Sequence, residues 1–313
     1  MKPLRIGTRG SALALWQANH VKDKLAELHG VHAELVRIQT SGDRFQSASL
    51  ERIGAEAGTK GVFIKEIEDA LLAGTVDLAV HSMKDVPTEI PEGLTIAAIG
   101  KREDVRDALL SSSGATLASL PRGARVGTSS LRRQSQLLYA RRDLRVLELR
   151  GNVDTRIEKL RRGDYDAIVL AKAGLDRLGL SGNISEVLPP EVSLPAAGQG
   201  AIGIEARAGD TETLSVLTGL EDGETRSAVT AERSALAGLG GGCQVPIGAW
   251  GRVENNRLSL DVAVLSPDGK QRMWEKDSGS PTEADTIGKR IAQKLRECGA
   301  AALLDRESRG TRA

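Results

Sequence analysis

Arg125-Val126-Gly127-Thr128-Ser129-Ser130 reads as a short strand, a polar turn and the opening of a helix. It repeats, imperfectly, Arg5-Ile6-Gly7-Thr8-Arg9-Gly10-Ser11 near the start of the chain. A second pair keeps the same order: Asp77-Leu78-Ala79-Val80-His81-Ser82-Met83-Lys84 aligns with Asp166-Ala167-Ile168-Val169-Leu170-Ala171-Lys172, an apolar strand ending in a polar turn with a lysine. Each match alone is ordinary strand-to-helix chemistry; two in order predict two similar βα lobes. Working outward, strands are expected at 4–8, 33–39, 76–81 and 94–99, and again at 108–111, 125–127, 145–149 and 167–170, with helices between them. Ser11 is placed to cap a helix over 11–28, and 63–73 reads as another.

The composition suits that reading. In 313 residues of formal net charge +1, aromatics make up only 2%, so the core must come from Leu, Val, Ile and Ala, which favours helix and parallel sheet. Two cysteines, Cys243 and Cys298, and four scattered histidines give neither a zinc pattern nor a disulfide framework, and a reducing compartment follows. No apolar leader opens the sequence and no run approaches the roughly 18 apolar residues of a membrane span. The expectation is a cytoplasmic protein with no membrane partner and no metal.

Beyond the second lobe, Pro189-Pro190 and the stretch 195–200 mark a crossing segment, and 201–206 reads as a strand that could return to the first lobe. From about Glu221 the pattern changes to a helix, then strands at 247–253, 258–265 and 271–276, with Pro267-Asp268-Gly269 as a hairpin turn. A helix over 282–296 follows, with Cys298 near its end as a packing residue, then a basic tail over 306–313. The expected domains are 1–100 with 200–218, 105–195, and a small α+β domain over 222–305; the Gly/Ala-rich, aperiodic stretch 44–60 reads as a mobile loop.

Charge is concentrated. Between Pro121 and Arg162 lie twelve basic residues and four acidic ones, an excess of +8 in a chain of +1. Arg122, Arg141, Arg142, Arg161 and Arg162 fall at helix or loop ends and read as solvated face. Arg132 and Arg133 follow Thr128-Ser129-Ser130, and Arg150 and Arg156 flank Gly151-Asn152, both at strand-to-helix turns. Helix N-termini carry unpaired N–H groups, and arginine grips a carboxylate at two points, so these turns suit a small acidic ligand. Arg9 occupies the matching turn of the first lobe and would face the same cleft if the lobes oppose each other. Nucleic acid fits less well, because the second lobe offers only Tyr139 and Tyr165 for stacking. Asp85, at the end of a strand beside Lys84, could stabilise a cation on a substrate, exchange a proton with a leaving amine, or merely support an arginine. In Gly240-Gly241-Gly242-Cys243-Gln244-Val245-Pro246 the glycines leave the backbone free and Pro246 fixes its exit, so the thiol is reachable; a small buried filler fits the same residues. A two-lobed binding protein for an acidic ligand remains open on these features.

Six stretches in order resemble the porphobilinogen deaminase (hydroxymethylbilane synthase) family: 6–17, 80–87, 126–133, 149–156, 194–203 and 241–246, so that the resemblance runs from Leu4 to Cys298. It implies an α/β architecture of two doubly wound, periplasmic-binding-protein-like lobes plus a small α+β C-terminal domain. The implied enzyme joins four porphobilinogen molecules head to tail into linear hydroxymethylbilane, releasing ammonia, on a dipyrromethane cofactor held by a cysteine thioether. The same resemblance makes Cys243 the attachment point and Asp85 the catalytic carboxylate, in a monomer. Lys84, Arg132, Arg133 and Arg150 are the implied cofactor-binding cations, with Ser82, Thr128, Ser129 and Ser130 as hydrogen-bonding partners. Arg9, Arg156, Arg177, Gln199 and Lys60 are the implied substrate contacts. One departure is Gly58-Thr59-Lys60-Gly61-Val62-Phe63, where the family has Gly-Gly-Lys-Gly before Leu-Phe.

Overall fold

Strands covered on both faces need no polar alternation, and the apolar runs of this chain become the central strands of two five-stranded sheets. The structure is a computed structural model that describes residues 3–41, 64–241 and 245–304. The stretch 44–60 with Lys60, Cys243 and the tail 306–313 lie outside the described residues. By contacts the chain divides into Met1–Arg102 with Ala201–Arg226, and Glu103–Gly200 with Ser227–Ala313.

In the first unit, β1 (Leu4–Thr8), β2 (Ala33–Arg37), β3 (Leu78–Ser82), β4 (Leu94–Ile99) and β10 (Ile202–Arg207) form a sheet of order β2-β1-β3-β10-β4. β1 runs parallel to β2 and β3, while β10 is antiparallel to both its neighbours, β3 and β4. Alternate side chains pack on opposite faces: Leu78 and Val80 meet Ala18, Val21 and Leu25 of α1 (Ala12–His29), and Ala79 meets Ile67 and Leu71 of α2 (Lys65–Leu72). Ser11 caps α1, its side chain accepting from the Ala14 N–H.

In the second unit, β5 (Asp107–Ser111), β6 (Arg125–Gly127), β7 (Arg145–Leu147), β8 (Ala167–Ala171) and β9 (Glu186–Val187) take the order β7-β6-β8-β5-β9. The order repeats the first sheet position by position, with β5 the antiparallel strand in the place of β10. The two stretches aligned in sequence are therefore equivalent in structure, β1 with β6 and β3 with β8. α3 (Leu131–Ala140), α4 (Val153–Arg161) and α5 (Lys172–Arg177) follow the corresponding strands. The same unit holds a three-stranded antiparallel sheet of β11 (Ile247–Glu254), β12 (Arg257–Leu265) and β13 (Arg272–Gly279). Ala231 and Ala235 of a long helix over 223–238, with Ile287, Ile291 and Leu295 of another over 284–297, cover it.

The fold is mixed α/β, as expected, with several local differences. β9 and a helix over 211–217 were not expected, and the helix before Cys243 begins at Gly223. Arg141 is not a solvated end: its guanidinium donates to the carbonyls of Leu117, Ala118 and Leu120 and pairs with Asp143, closing the loop beneath α3. Cys298, expected to pack, is exposed at the end of its helix. Among the described residues no helix is long and apolar enough to cross a membrane.

Candidate active site

β3 ends in a tight turn over Met83–Asp85 that sorts three neighbouring side chains. Met83 is buried, its N–H donates to the Ala201 carbonyl at 3.0 Å, and its sulfur lies over Gly203 on β10. An added Cβ at Gly203 would stand 2.1 Å from that sulfur, so glycine is required for the turn to sit down. With Met83 as the anchor, Asp85 is left exposed. A pocket in this unit is lined by Asp85, Ser82, Arg9, Ser11, Gln17 and His81 among others. The buried Gln17 donates from Nε2 to Ser82 Oγ at 2.8 Å, which orients the hydroxyl. Behind the pocket His81 Nε2 lies 3.0 Å from Glu205 Oε2, both groups buried, and burial together with the Glu205 charge pushes Glu68 upward.

In the second unit the paired arginines are not splayed into solvent. Arg132 and Arg133, 4% and 6% exposed, converge on the fully buried Asp107 at the start of β5. Burial pushes the Asp107 carboxyl up, but the two guanidiniums overbalance it and hold it well below the usual carboxylate range. Burial in turn lowers Arg132 from its ordinary value. Gln199 joins the same group, donating from Nε2 to Asp107 Oδ1 at 2.9 Å and to the Val105 carbonyl at 2.6 Å.

The hydroxyls of the β6 turn hold its shape. Ser130 caps α3 by accepting from the Arg133 N–H, Thr128 Oγ1 accepts from the Ser130 N–H, and Ser129 Oγ donates to the Leu149 carbonyl at 2.7 Å. Arg150 pairs with Glu148, Arg156 Nε donates to the Gly151 carbonyl, and Arg177, lowered by burial, donates to the Gly200 carbonyl at 2.7 Å. Lys84 is half-buried in the Met83–Asp85 turn. Sequence reasoning brought out Arg132, Arg133 and Gln199 separately but missed Asp107, which joins them. Its one signal is a carboxylate heading the apolar run Ala108-Leu109-Leu110. Gln17 and the His81–Glu205 pair were missed for the same reason, since their partners are distant in sequence.

These features define an α/β protein of two five-stranded sheets and one three-stranded sheet, with an exposed carboxylate lining one pocket and a buried cluster of two arginines on one aspartate. Residues 4–215 match "Porphobilinogen deaminase, dipyromethane cofactor binding domain", and residues 227–297 match "Porphobilinogen deaminase, C-terminal domain". The porphobilinogen deaminase of Trichlorobacter lovleyi is 50% identical over 305 residues, 97% of this chain and 96% of that one. That of Pelotomaculum thermopropionicum is 51% identical over 306 residues, 97% of each. A periplasmic substrate-binding protein from Coxiella burnetii aligns at a TM-score of 0.42 and 15% identity over 74% of this chain and 96% of that one, too loosely to carry an argument. The chain belongs to the porphobilinogen deaminase family. It is a transferase of tetrapyrrole biosynthesis that condenses four porphobilinogen molecules head to tail into hydroxymethylbilane with release of ammonia, and its cofactor is dipyrromethane.

Proposed function

We propose that the condensation depends on Asp85 and is primed at Cys243. The observation that carries this is the exposed Asp85 carboxylate beside Arg9 and Ser82 in one pocket, held there by the buried Met83. When the C–N bond of porphobilinogen's protonated aminomethyl group breaks, its electron pair leaves with nitrogen as ammonia and a cation remains spread over the substrate pyrrole. A fixed carboxylate near the pyrrole nitrogen lowers the energy of that charge, and it does so without reorganisation. Arg9 holds a carboxylate of the substrate, while Lys84 holds one of the cofactor and Ser82, oriented by Gln17, adds a hydrogen bond to it.

The buried Arg132, Arg133 and Asp107 carry two positive charges against one negative, which fits a cofactor bearing carboxylates. When bound, dipyrromethane supplies the nucleophilic α-carbon to which the first substrate is joined. Arg132, Arg133, Arg150 and Arg156 bind its carboxylates and those of the lengthening product, with Thr128, Ser129 and Ser130 fixing the turn beneath. Cys243 anchors through a thioether, which does not turn over. Arg177, Gln199 and Lys60 are further substrate contacts. The enzyme works as a cytoplasmic monomer with no nucleic-acid partner.

The test is the intact mass of the wild-type chain beside Cys243→Ser, with peptide mapping. Two linked pyrrole units on the Cys243 peptide, absent from the variant, are expected. If the wild-type chain gains no adduct even after incubation with porphobilinogen, the priming role of Cys243 fails.

A further inference from the structure

Asp107 is the most heavily bonded carboxylate around the proposed cofactor-binding arginines, and neither its place in the sequence nor the chemistry of the reaction assigns it a task. Its Oδ2 accepts from Arg132 Nη1 at 2.8 Å and Ser193 Oγ at 2.7 Å. Its Oδ1 accepts from Arg133 Nε at 3.0 Å, Arg133 Nη2 at 2.7 Å and Gln199 Nε2 at 2.9 Å. The group is fully enclosed, so every one of these bonds is made in a medium that strengthens it.

The two arginines are not used alike. Arg133 spends Nε and Nη2 on Asp107 and Nη1 on the Val169 carbonyl at 3.2 Å. Arg132 spends Nη1 alone, on Asp107 and on the Leu194 carbonyl at 2.6 Å. Among the described residues the Nε–Nη2 edge of Arg132 is bonded to nothing. That edge is the fork with which a guanidinium takes a carboxylate at two points. Two guanidiniums converge on one carboxylate, so among the described residues this cluster is one negative charge short.

We propose that Asp107 is the positioning residue of this site: it aims the Nε–Nη2 edge of Arg132 at one pyrrole carboxylate and cancels one of the two positive charges, so that the cluster takes a single carboxylate. Arg133 then serves chiefly to hold Asp107. The inference rests on the reading that Arg132 binds carboxylates of the primer.

Two variants test it, each purified as apo chain and primed with porphobilinogen while intact mass is followed over time. Asp107→Asn is expected to reduce the fraction of chains carrying the two-pyrrole adduct about tenfold, the loss of roughly one charge-assisted bond. Ser193→Ala keeps the charge and removes one bond to Oδ2. It is expected to raise the half-saturating porphobilinogen concentration for priming about threefold, with the maximal rate and the unfolding midpoint close to wild type. A purely structural Asp107 predicts the reverse for Ser193→Ala: a lowered midpoint and an unchanged half-saturation. Wild-type priming by Asp107→Asn overturns the proposal. Should Asp107→Asn fail to fold, Ser193→Ala decides, and unchanged half-saturation sinks the idea. A wild-type chain that never gains an adduct counts against the Cys243 reading instead.

Discussion

The turn after β1 and the turn after β6 are the same device put to different uses. Arg5 donates its N–H, Nε and Nη2 to Asp77 and also Nη2 to the Gly74 carbonyl. Arg125 does the same to Asp166 and the Gly163 carbonyl. Ser11 and Ser130 cap the helices that follow. The next residues differ: α1 opens on Ala12 and Leu13, α3 on Leu131, Arg132 and Arg133. The ends of β3 and β8 differ too, since an exposed carboxylate, Asp85, follows β3, whereas a cation, Lys172, paired with Asp176 at 2.5 Å and Asp104 at 3.7 Å, follows β8. On the proposed roles, the repeated scaffold divides the labour, with the reacting carboxylate on one copy and the carboxylate-binding cations on the other. The largest expected effect follows directly. Asp85→Asn should lower turnover by about 10²–10³, the cost of losing one preorganised electrostatic contact, while the chain still folds and still carries its primer. Lys172→Met, at the corresponding end of β8, should stay within about twofold of wild type, because its charge is spent locally. Turnover lost equally in both would erase the distinction between the two ends.

Arg132→Leu attacks the other half of the comparison. It leaves Asp107 buried with one arginine where it had two. Breaking a buried pair costs about 3–5 kcal/mol, so urea denaturation should show a loss of that order alongside a chain that does not prime. A stable, fully primed Arg132→Leu chain would remove the arginines from the working site.

The repeat that fixes the architecture was readable because β-strand burial and helix capping are local: Arg5, Asp77, Arg125 and Asp166 stand at matching places in both copies, and Ser11 caps as its position suggests. The return of β10 to the first sheet was readable as an apolar run after a proline-rich crossing. What stayed hidden was the side-chain pairing across long sequence separation. Arg132 reads as a cation at a strand-to-helix turn until Asp107, which also holds Ser193 and Gln199, is folded against it, and Gln17 gains Ser82 only when β3 is folded beside α1. Arg141 was misread for the same reason, since its three carbonyl partners belong to a loop with no pattern of its own.

A smaller effect is expected where one copy has glycine and the other alanine. Gly203 faces His81 across the β10–β3 ladder, and Ala108 faces Leu170 across the corresponding β5–β8 ladder. Gly203→Ala therefore installs in the first sheet the residue that the second already has, but there it meets the buried Met83 sulfur. Overpacking of this kind costs about 1–3 kcal/mol, and it should move the Met83–Asp85 turn, lowering kcat with Asp85 itself intact. Ala108→Gly should cost stability without that loss of kcat.

The smallest effect lies in the two arginine–aspartate clasps. Burial pushes Asp77 upward, but the hydrogen bonds and charge of Arg5, with the charge of Arg207, overbalance it and leave it below the ordinary carboxylate value. For Asp166 the Arg125 hydrogen bond lowers the carboxyl in the same sense. A carboxyl lower in the folded chain than in the unfolded one adds stability that is complete above the unfolded value of about 3.9 and disappears as pH falls through the folded value. At pH 7 Asp77→Asn and Asp166→Asn should each lower the unfolding midpoint by roughly 2 °C, and each difference from wild type should close below about pH 4. The two should not be equal at pH 7. Asp77 is the more enclosed, at 16% exposure against 37%, and has Arg207 as a second cation at 3.5 Å. With two cations on a more enclosed carboxylate, its contribution at pH 7 should be the larger. Coincident curves would make the clasps interchangeable and confine the difference between the copies to the turns themselves.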